Sequence, residues 1–300
     1  MPEFPAAESF AAIAERWRPG PAVTVRRLDP IPVRAFAGLL DQPADFAAGD
    51  RLPPLWHWFH FTPTAARGEL GEDGHPLAGR FLPPFPDRRR MMAGGGIVLH
   101  APLTLGEECT RESTLGPVTV KQGRSGEMLF TTVHHELRIS GRTVAEETEQ
   151  VVYRRQAAGD QRSGDQRSGD QRSASAPADQ PDGHVPPTSA VSLRCDPVVL
   201  FRFSALTYNA HRIHYDRPYA TGVEGYPELV VHGPLLALLM LELPRRSGHE
   251  VRRFSYRLRR PLFSGSTAMV TADGSAQDGL RLAVGSRDVP NAATATLTLR

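Results

Sequence analysis

Two periods alternate along this chain. Phe10, Ala11, Ile13, Ala14 and Trp17 recur at helical spacing, which predicts a short amphipathic helix over Glu8 to Trp17 with Ser9 or Glu8 near its start. Pro32 opens a second short helix that runs to Leu40. From Leu52 to Pro86 the pattern dissolves into Pro- and Gly-rich sequence with no lasting period, a loop region of a length that often carries function. Strand-like runs follow at Val118 to Lys121, Leu129 to Ile139 and Thr143 to Tyr153, broken by Gly123, Gly126 and Gly141 as in an antiparallel meander. Further on, Gly233-Pro234 introduces Leu235 to Leu241, apolar nearly all round, so a helix here is buried and Pro takes its first position without losing a hydrogen bond. Pro244 is expected to close that helix after about ten residues, well short of the roughly 20 that a bilayer span needs. Four strand-like runs complete the chain, around Phe254–Leu258, Thr267–Thr271, Leu280–Val284 and Thr294–Leu299, the last alternating as a half-buried strand should.

Between the two patterned halves lie three perfect copies of Gly-Asp-Gln-Arg-Ser, starting at Gly159, Gly164 and Gly169. A polar repeat without an apolar residue cannot bury a core, so it reads as a flexible linker and a domain boundary. The expected organisation is a domain over 1–155, a linker over 156–188 and a second domain over 189–300. Three hundred residues at 40% hydrophobic content suffice for two ordinary cores. The net charge of +2, from 35 basic and 33 acidic residues, gives no general case for nucleic acid or a membrane surface. Cys109 and Cys195 stand far apart, which excludes a disulfide framework and a cysteine metal site and points to a reducing cytoplasm. The opening residues lack a basic segment followed by an apolar run, so no signal peptide is expected.

Several local features invite chemistry, and most have plainer readings. Trp56, Trp58, Phe59 and Phe61 with His57 and His60 could stack bases, but no basic stripe accompanies them and a partly buried aromatic segment is the better reading. Arg88-Arg89-Arg90 before Gly94-Gly95-Gly96 could hold phosphates or a carboxylate, or be a solvated basic turn. The glycines fit neither a dinucleotide nor a Walker fingerprint, because they lead straight into Ile97-Val98-Leu99. His134 and His135 are strand neighbours on opposite faces and cannot chelate together; no close-spaced ligand set appears, and no metal is assigned.

The stretch from Phe201 to Leu243 is different, because it sets Asn209, His211 and His214 beside the start of the buried helix. On a regular helix Asn209 and His214 would lie roughly 140° apart, so they converge only if the chain turns between them. A histidine can both take and give a proton near neutrality, and a helix start at His232-Gly233 offers free N–H groups to a carbonyl oxygen or an anion.

FSALTYNAHRIHYD over 203–216, followed by Val231-His232-Gly233, resembles the hydratase motif of the MaoC-like, hot-dog-fold (R)-specific enoyl-thioester hydratases. The resemblance implies that His214 is the catalytic acid/base and Gly233 the oxyanion donor. An Asp of the motif is Asn209 here, as in the type 2 hydroxyacyl-thioester dehydratases; Asn keeps the hydrogen-bonding geometry but cannot take a proton. GEDGHPLAGRFLPPFPDRRRMMAGG over 71–95, HAPLTLGE over 100–107 and GRSG over 123–126 resemble the N-terminal half of the fungal-synthase-like dehydratases, and especially of mesaconyl-C4-CoA hydratases. That half departs from the family at Met92 and at Gly96-Ile97-Val98, and has no counterpart of Asn209 with His214.

The implied fold is α+β, a double hot dog in which each half wraps an antiparallel sheet around a helix, the first half non-catalytic and completing the substrate tunnel. The implied activity is reversible hydration of an enoyl-thioester, with a small branched dicarboxylic acyl-CoA as substrate, no cofactor beyond the substrate's own coenzyme A, and pairing into a homodimer left open. Tyr208, Arg212, Asp216, His232, Arg89 and Arg90 are the candidate substrate-binding residues; Asp216 could equally share the acid/base work or cap locally. Three rivals remain: a 3-hydroxyacyl-ACP dehydratase of fatty-acid synthesis, a hot-dog thioesterase, and an acyl-thioester-binding protein without activity.

Overall fold

The computed structural model describes residues 9–85, 88–123, 126–155, 191–275 and 279–300. The pentapeptide repeats and the whole expected linker lie outside them. Helix α1 (Phe10–Arg16) starts where Ser9 Oγ accepts from the Ala12 N–H, and β1 (Ala22–Arg27) follows. α2 (Pro30–Leu39) is capped by Asp29, two residues earlier than its sequence pattern suggested, because Pro30 as well as Pro32 fits the first turn. Short β2 (Arg51–Leu52), long β3 (Arg88–Leu99), short β4 (Leu103–Thr104), and the long β5 (Glu108–Gly123), β6 (Gly126–Ile139) and β7 (Arg142–Arg155) complete the first half. The second half runs β8 (Ser192–Arg194), α3 (Pro197–Thr207), α4 (Arg217–Gly222), α5 (Gly233–Arg246), β9 (Val251–Leu258), β10 (Thr267–Ser275), β11 (Gly279–Gly285) and β12 (Ala293–Leu299). The predicted double hot dog is therefore the observed fold.

The halves are fused edge to edge. One ten-stranded antiparallel sheet runs β1-β5-β6-β7-β3-β9-β12-β11-β10-β8, and β3 joins the first half to β9 of the second. At this seam the glycine run acquires its physical reason. Gly94 to Gly96 are interior strand residues, not the end of a basic turn. A Cβ on Gly94 would lie 2.3 Å from the Tyr256 carbonyl oxygen, one on Gly96 2.6 Å from that of Phe254, and one on Gly95 2.3 Å from that of Thr148. Only glycine lets β3 sit this close to both neighbours. A register shift between Met92 and Gly94 bends the strand just before the seam.

Helix α5 is the centre of the second half. Leu235 to Glu242 are all buried, as its all-round apolar sequence requires. It does not stop at Pro244 but runs on to Arg246. At the last turn a missing N–H removes little, and the Ser247 N–H closes the helix on the Leu243 carbonyl at 3.2 Å. The buried carboxylate of Glu242 is satisfied by Arg245 at 2.6 Å and by Gln42 of the first half at 2.9 Å. A continuous core joins α2, α3, α5 and both halves of the sheet, while α1 covers a smaller cluster with Phe85, Leu129, Val151 and Tyr153. The aromatic segment is a 3-10 turn over Trp56–Phe59, mostly buried against α2, with Trp56 edge-on to Phe36.

Candidate active site

A cavity of about 2380 Å³ opens at the junction and is lined from both halves: Arg89, Arg90 and Arg111 from one side, Asn209, His214 and Gly233 from the other. The wall that carries Asn209 and His214 is made by a chain reversal. Asp196 caps α3, and Tyr208 ends it in the left-handed conformation (φ 51), turning the chain away from the helix axis. Asn209 Oδ1 then accepts from the His211 N–H at 3.0 Å, a local turn closed by the side chain. A 3-10 turn over Arg212–His214 brings His214 back, so Asn209 and His214 both line the cavity.

His214 is held in one tautomer. Its Nδ1–H donates to the Val230 carbonyl at 2.7 Å, which leaves Nε2 as the lone-pair nitrogen. Its ring stacks on His232 at 3.7 Å and meets His211 edge-on at 5.4 Å. Burial lowers the pKa of His214 to about 4, so it stands as a neutral base at pH 7. Gly233 lines the same cavity at the start of α5, and a Cβ there would come within 2.3 Å of Leu258 Cδ1, so glycine is what lets Leu258 pack against the helix start.

The other candidate residues divide. Arg89 and Arg90 line the cavity, Arg89 3.4 Å from Glu224 and Arg90 2.9 Å from Glu149. Burial raises the Glu149 carboxyl, but His135 and Arg90 outweigh it and hold the pKa at about 2. Tyr208 reaches the cavity rim and is largely exposed. His232, Arg212 and Asp216 are not on the cavity wall. His232 is fully buried behind His214 with Nε2 on Ser204 Oγ at 2.9 Å. Arg212 donates twice to Asp216 Oδ2, at 3.0 and 2.8 Å, and lies over the Tyr219 ring. Asp216 Oδ1 accepts from the Tyr219 N–H at 3.1 Å and caps α4, the local role among those its sequence left open.

Two groups at the site were not assigned a role from sequence. Glu147, buried on β7, accepts from His57 at 2.7 Å and from Trp58 at 2.6 Å, which explains why that aromatic segment carries a histidine. Asp73 and His75, in the long loop, reach across to the turn that carries Asn209 and His214; their i, i+2 spacing was the signal available. Ligand atoms of Asp73, His75 and His211 lie within 4.8 Å of one another, but His75 Nδ1–H already donates to Asp73 Oδ2 at 3.0 Å, and the cluster reads as a hydrogen-bonded pair.

Burial, first among the causes, holds His60, His211, His214 and His232 below the ordinary histidine value of 6.5. In the unfolded chain they protonate near 6.5, so below that pH the unfolded state binds more protons than the native state. Stability is therefore complete above about pH 6.5 and falls as the pH drops towards 4, by about 3 kcal/mol for His214 alone. Urea unfolding midpoints should hold from pH 7.5 to about 6.5 and decrease from there to pH 4.5; a midpoint constant across the whole range would contradict the buried neutral histidines.

A neutral, oriented imidazole beside an open helix start, in a cavity shared by two fused hot dogs, defines the class. The family model for hydroxyacyl-thioester dehydratase type 2 matches residues 55–264, and the chain belongs to this family of hydro-lyases acting on acyl thioesters. It is 45% identical over 231 residues to the mesaconyl-C(4)-CoA hydratase of Chloroflexus aurantiacus, covering 76% of this chain and 78% of that one. It is 28% identical over 224 residues to the mitochondrial hydroxyacyl-thioester dehydratase type 2 of Schizosaccharomyces pombe, covering 71% and 74%. The crystal structure of HtdX of Mycobacterium tuberculosis shares the fold, with a TM-score of 0.61 at 16% identity over 94% of this chain and all of that one.

Proposed function

We propose that this enzyme hydrates a small branched enoyl-CoA whose far end is a carboxylate, of the mesaconyl-C4-CoA kind, with His214 as its base. The thioester carbonyl oxygen sits on the Gly233 N–H at the start of α5, where enolate charge develops during addition. His214 Nε2 takes a proton from water, and the hydroxyl adds to the β-carbon. The Asn209 amide, whose oxygen accepts from the His211 N–H, offers its NH₂ as a donor and orients rather than transfers.

The observation that carries the substrate class is a set of arginines with unused donors. Nε of Arg89, Arg111 and Arg154 is buried without a hydrogen-bond partner, and all three side chains line the cavity. An apolar acyl chain would leave them unpaired; a carboxylate or phosphate satisfies them. The similarity to the Chloroflexus enzyme supports the same class. Placement in the cytoplasm agrees with the two free, buried cysteines, Cys109 and Cys195, whose thiols burial raises to about 11.

Ultraviolet absorbance of the conjugated thioester, with product mass read in parallel, tests this with mesaconyl-C4-CoA, crotonyl-CoA and a long enoyl-CoA. Mesaconyl-C4-CoA should gain one water and be preferred over crotonyl-CoA by at least about 10²-fold in kcat/KM. Arg89→Ala should cost about 10–100-fold in kcat/KM for the dicarboxylic substrate and little for crotonyl-CoA. Preference for the long chain would move the enzyme to fatty-acid synthesis, and release of free CoA would make it a thioesterase.

A further inference from the structure

The loop from the non-catalytic half is built into the catalytic turn. The Arg212 N–H donates to the Asp73 carbonyl at 2.8 Å, and Arg212 Nη1 donates to the Glu72 carbonyl at 3.2 Å. Gly74, at φ +88, passes so close that a Cβ there would stand 1.8 Å from the Ala210 carbonyl oxygen. This contact delivers His75 to the cavity wall with its ring 4.0 Å from that of His211, one ring removed from His214. His75 Nδ1–H donates to Asp73 Oδ2 at 3.0 Å, and the Asp73 Oδ1 atom accepts from the His75 N–H at 2.9 Å. The carboxylate thus fixes the ring orientation and leaves Nε2 as its working nitrogen, the arrangement by which a carboxylate supports an imidazole that must become an imidazolium.

Hydration requires two proton transfers; His214 is placed to make one, Asn209 can make none, and burial keeps the neighbouring His211 neutral, with no proton of an imidazolium to give. We propose that His75, held by Asp73, is a second catalytic acid/base, and that the carboxylate missing at 209 is supplied from the other half of the chain. This rests on the hydratase reading above. Water gives its proton to His214 Nε2 while its oxygen bonds the β-carbon. The π electrons move to the α-carbon and thioester oxygen as an enolate on the Gly233 N–H. The His75 imidazolium then gives its Nε2 proton to the α-carbon, and the two imidazoles return to their starting states by proton exchange with solvent, to which His75 is partly open. Dehydration runs the same steps backward.

The titratable and charged groups around the pair are His211 and His214 on the catalytic turn, Arg90 on β3 and Tyr219 on α4. Burial raises the Asp73 carboxyl, but the hydrogen bonds and charge of His75 outweigh it and hold the pKa at about 2, so the carboxylate is ionised throughout the working range.

The test is the pH dependence of kcat for His75→Gln and Asp73→Asn on the preferred substrate, with far-ultraviolet circular dichroism and thermal unfolding as fold controls. Wild type should give a bell. His75→Gln should lower kcat by about 10²–10³-fold with KM nearly unchanged and should lose the basic limb. Asp73→Asn should keep the bell and shift its basic limb to lower pH, because the imidazolium loses its counter-charge. Added imidazole should restore part of the His75→Gln rate at low pH. A folded His75→Gln enzyme that keeps the wild-type bell and a kcat within about threefold overturns the proposal, as does an Asp73→Asn profile that superimposes on wild type. Failure of wild type to hydrate any enoyl-thioester would instead reject the underlying reading.

Discussion

His214→Ala should abolish hydration, lowering kcat by about 10³–10⁴-fold in the enoyl-thioester absorbance assay while substrate binding persists. The size of the effect follows from what is lost. The Nδ1–H of the ring is spent on the Val230 carbonyl, so its Nε2 carries the lone pair that can take the proton of water. The ring is also stacked on His232, so truncation leaves a gap beside that buried ring and puts no acid/base group in its place. Asn209→Ala should cost less, about 10-fold to 10²-fold, because a positioning amide is removed and no proton-transfer group is lost. Equal losses in the two variants would mean that Asn209 does more than orient. A His214→Ala enzyme with a rate near wild type would move catalysis elsewhere in the cavity.

Gly94→Ala should be among the most destabilising single-methyl changes in the protein. The added carbon would meet the Tyr256 carbonyl oxygen at 2.3 Å and Arg257 Cα at 3.2 Å, both backbone atoms of β9 that cannot rotate away. Either β3 and β9 separate or the five-residue ladder from Gly94 to Val98 shifts. A cost of about 3 kcal/mol is expected from such overpacking, which lowers the melting temperature by on the order of 5–10 °C in a chain of this size. Activity should fall beyond the loss of folded enzyme, because the cavity takes its two walls from the two sides of this ladder. Differential scanning calorimetry measures the first effect, and kcat on the folded fraction the second. An unchanged melting temperature would show that the seam gives way without strain.

Much of the frame is legible in the sequence. All-round apolarity from Leu235 to Leu241 is compatible only with a helix that something wraps, and the alternating runs after it are compatible only with the sheet that does so. Periodicity carries that information because burial is decided residue by residue along one element. The same locality made Asp216 ambiguous, since capping and catalysis ask for the same carboxylate. Arg88 to Arg90 and the glycines stayed open between a binding set and a basic turn for a related reason: a strand wedged between two others needs glycine for clearance, and sequence shows the glycine without the neighbours.

By itself, then, the sequence determined most of the long elements and their buried faces, and it required a turn between Asn209 and His214 if the two are to meet. Tertiary structure alone decided which side chains face the cavity. Arg89 and Arg90 do; Arg212 and His232 do not, because one is drawn to Asp216 and the other is enclosed behind His214. It also decided that Asp73 and His75, more than 130 positions from His211, belong to the same site. No local pattern encodes that contact, because it depends on how a loop of one half packs on a turn of the other.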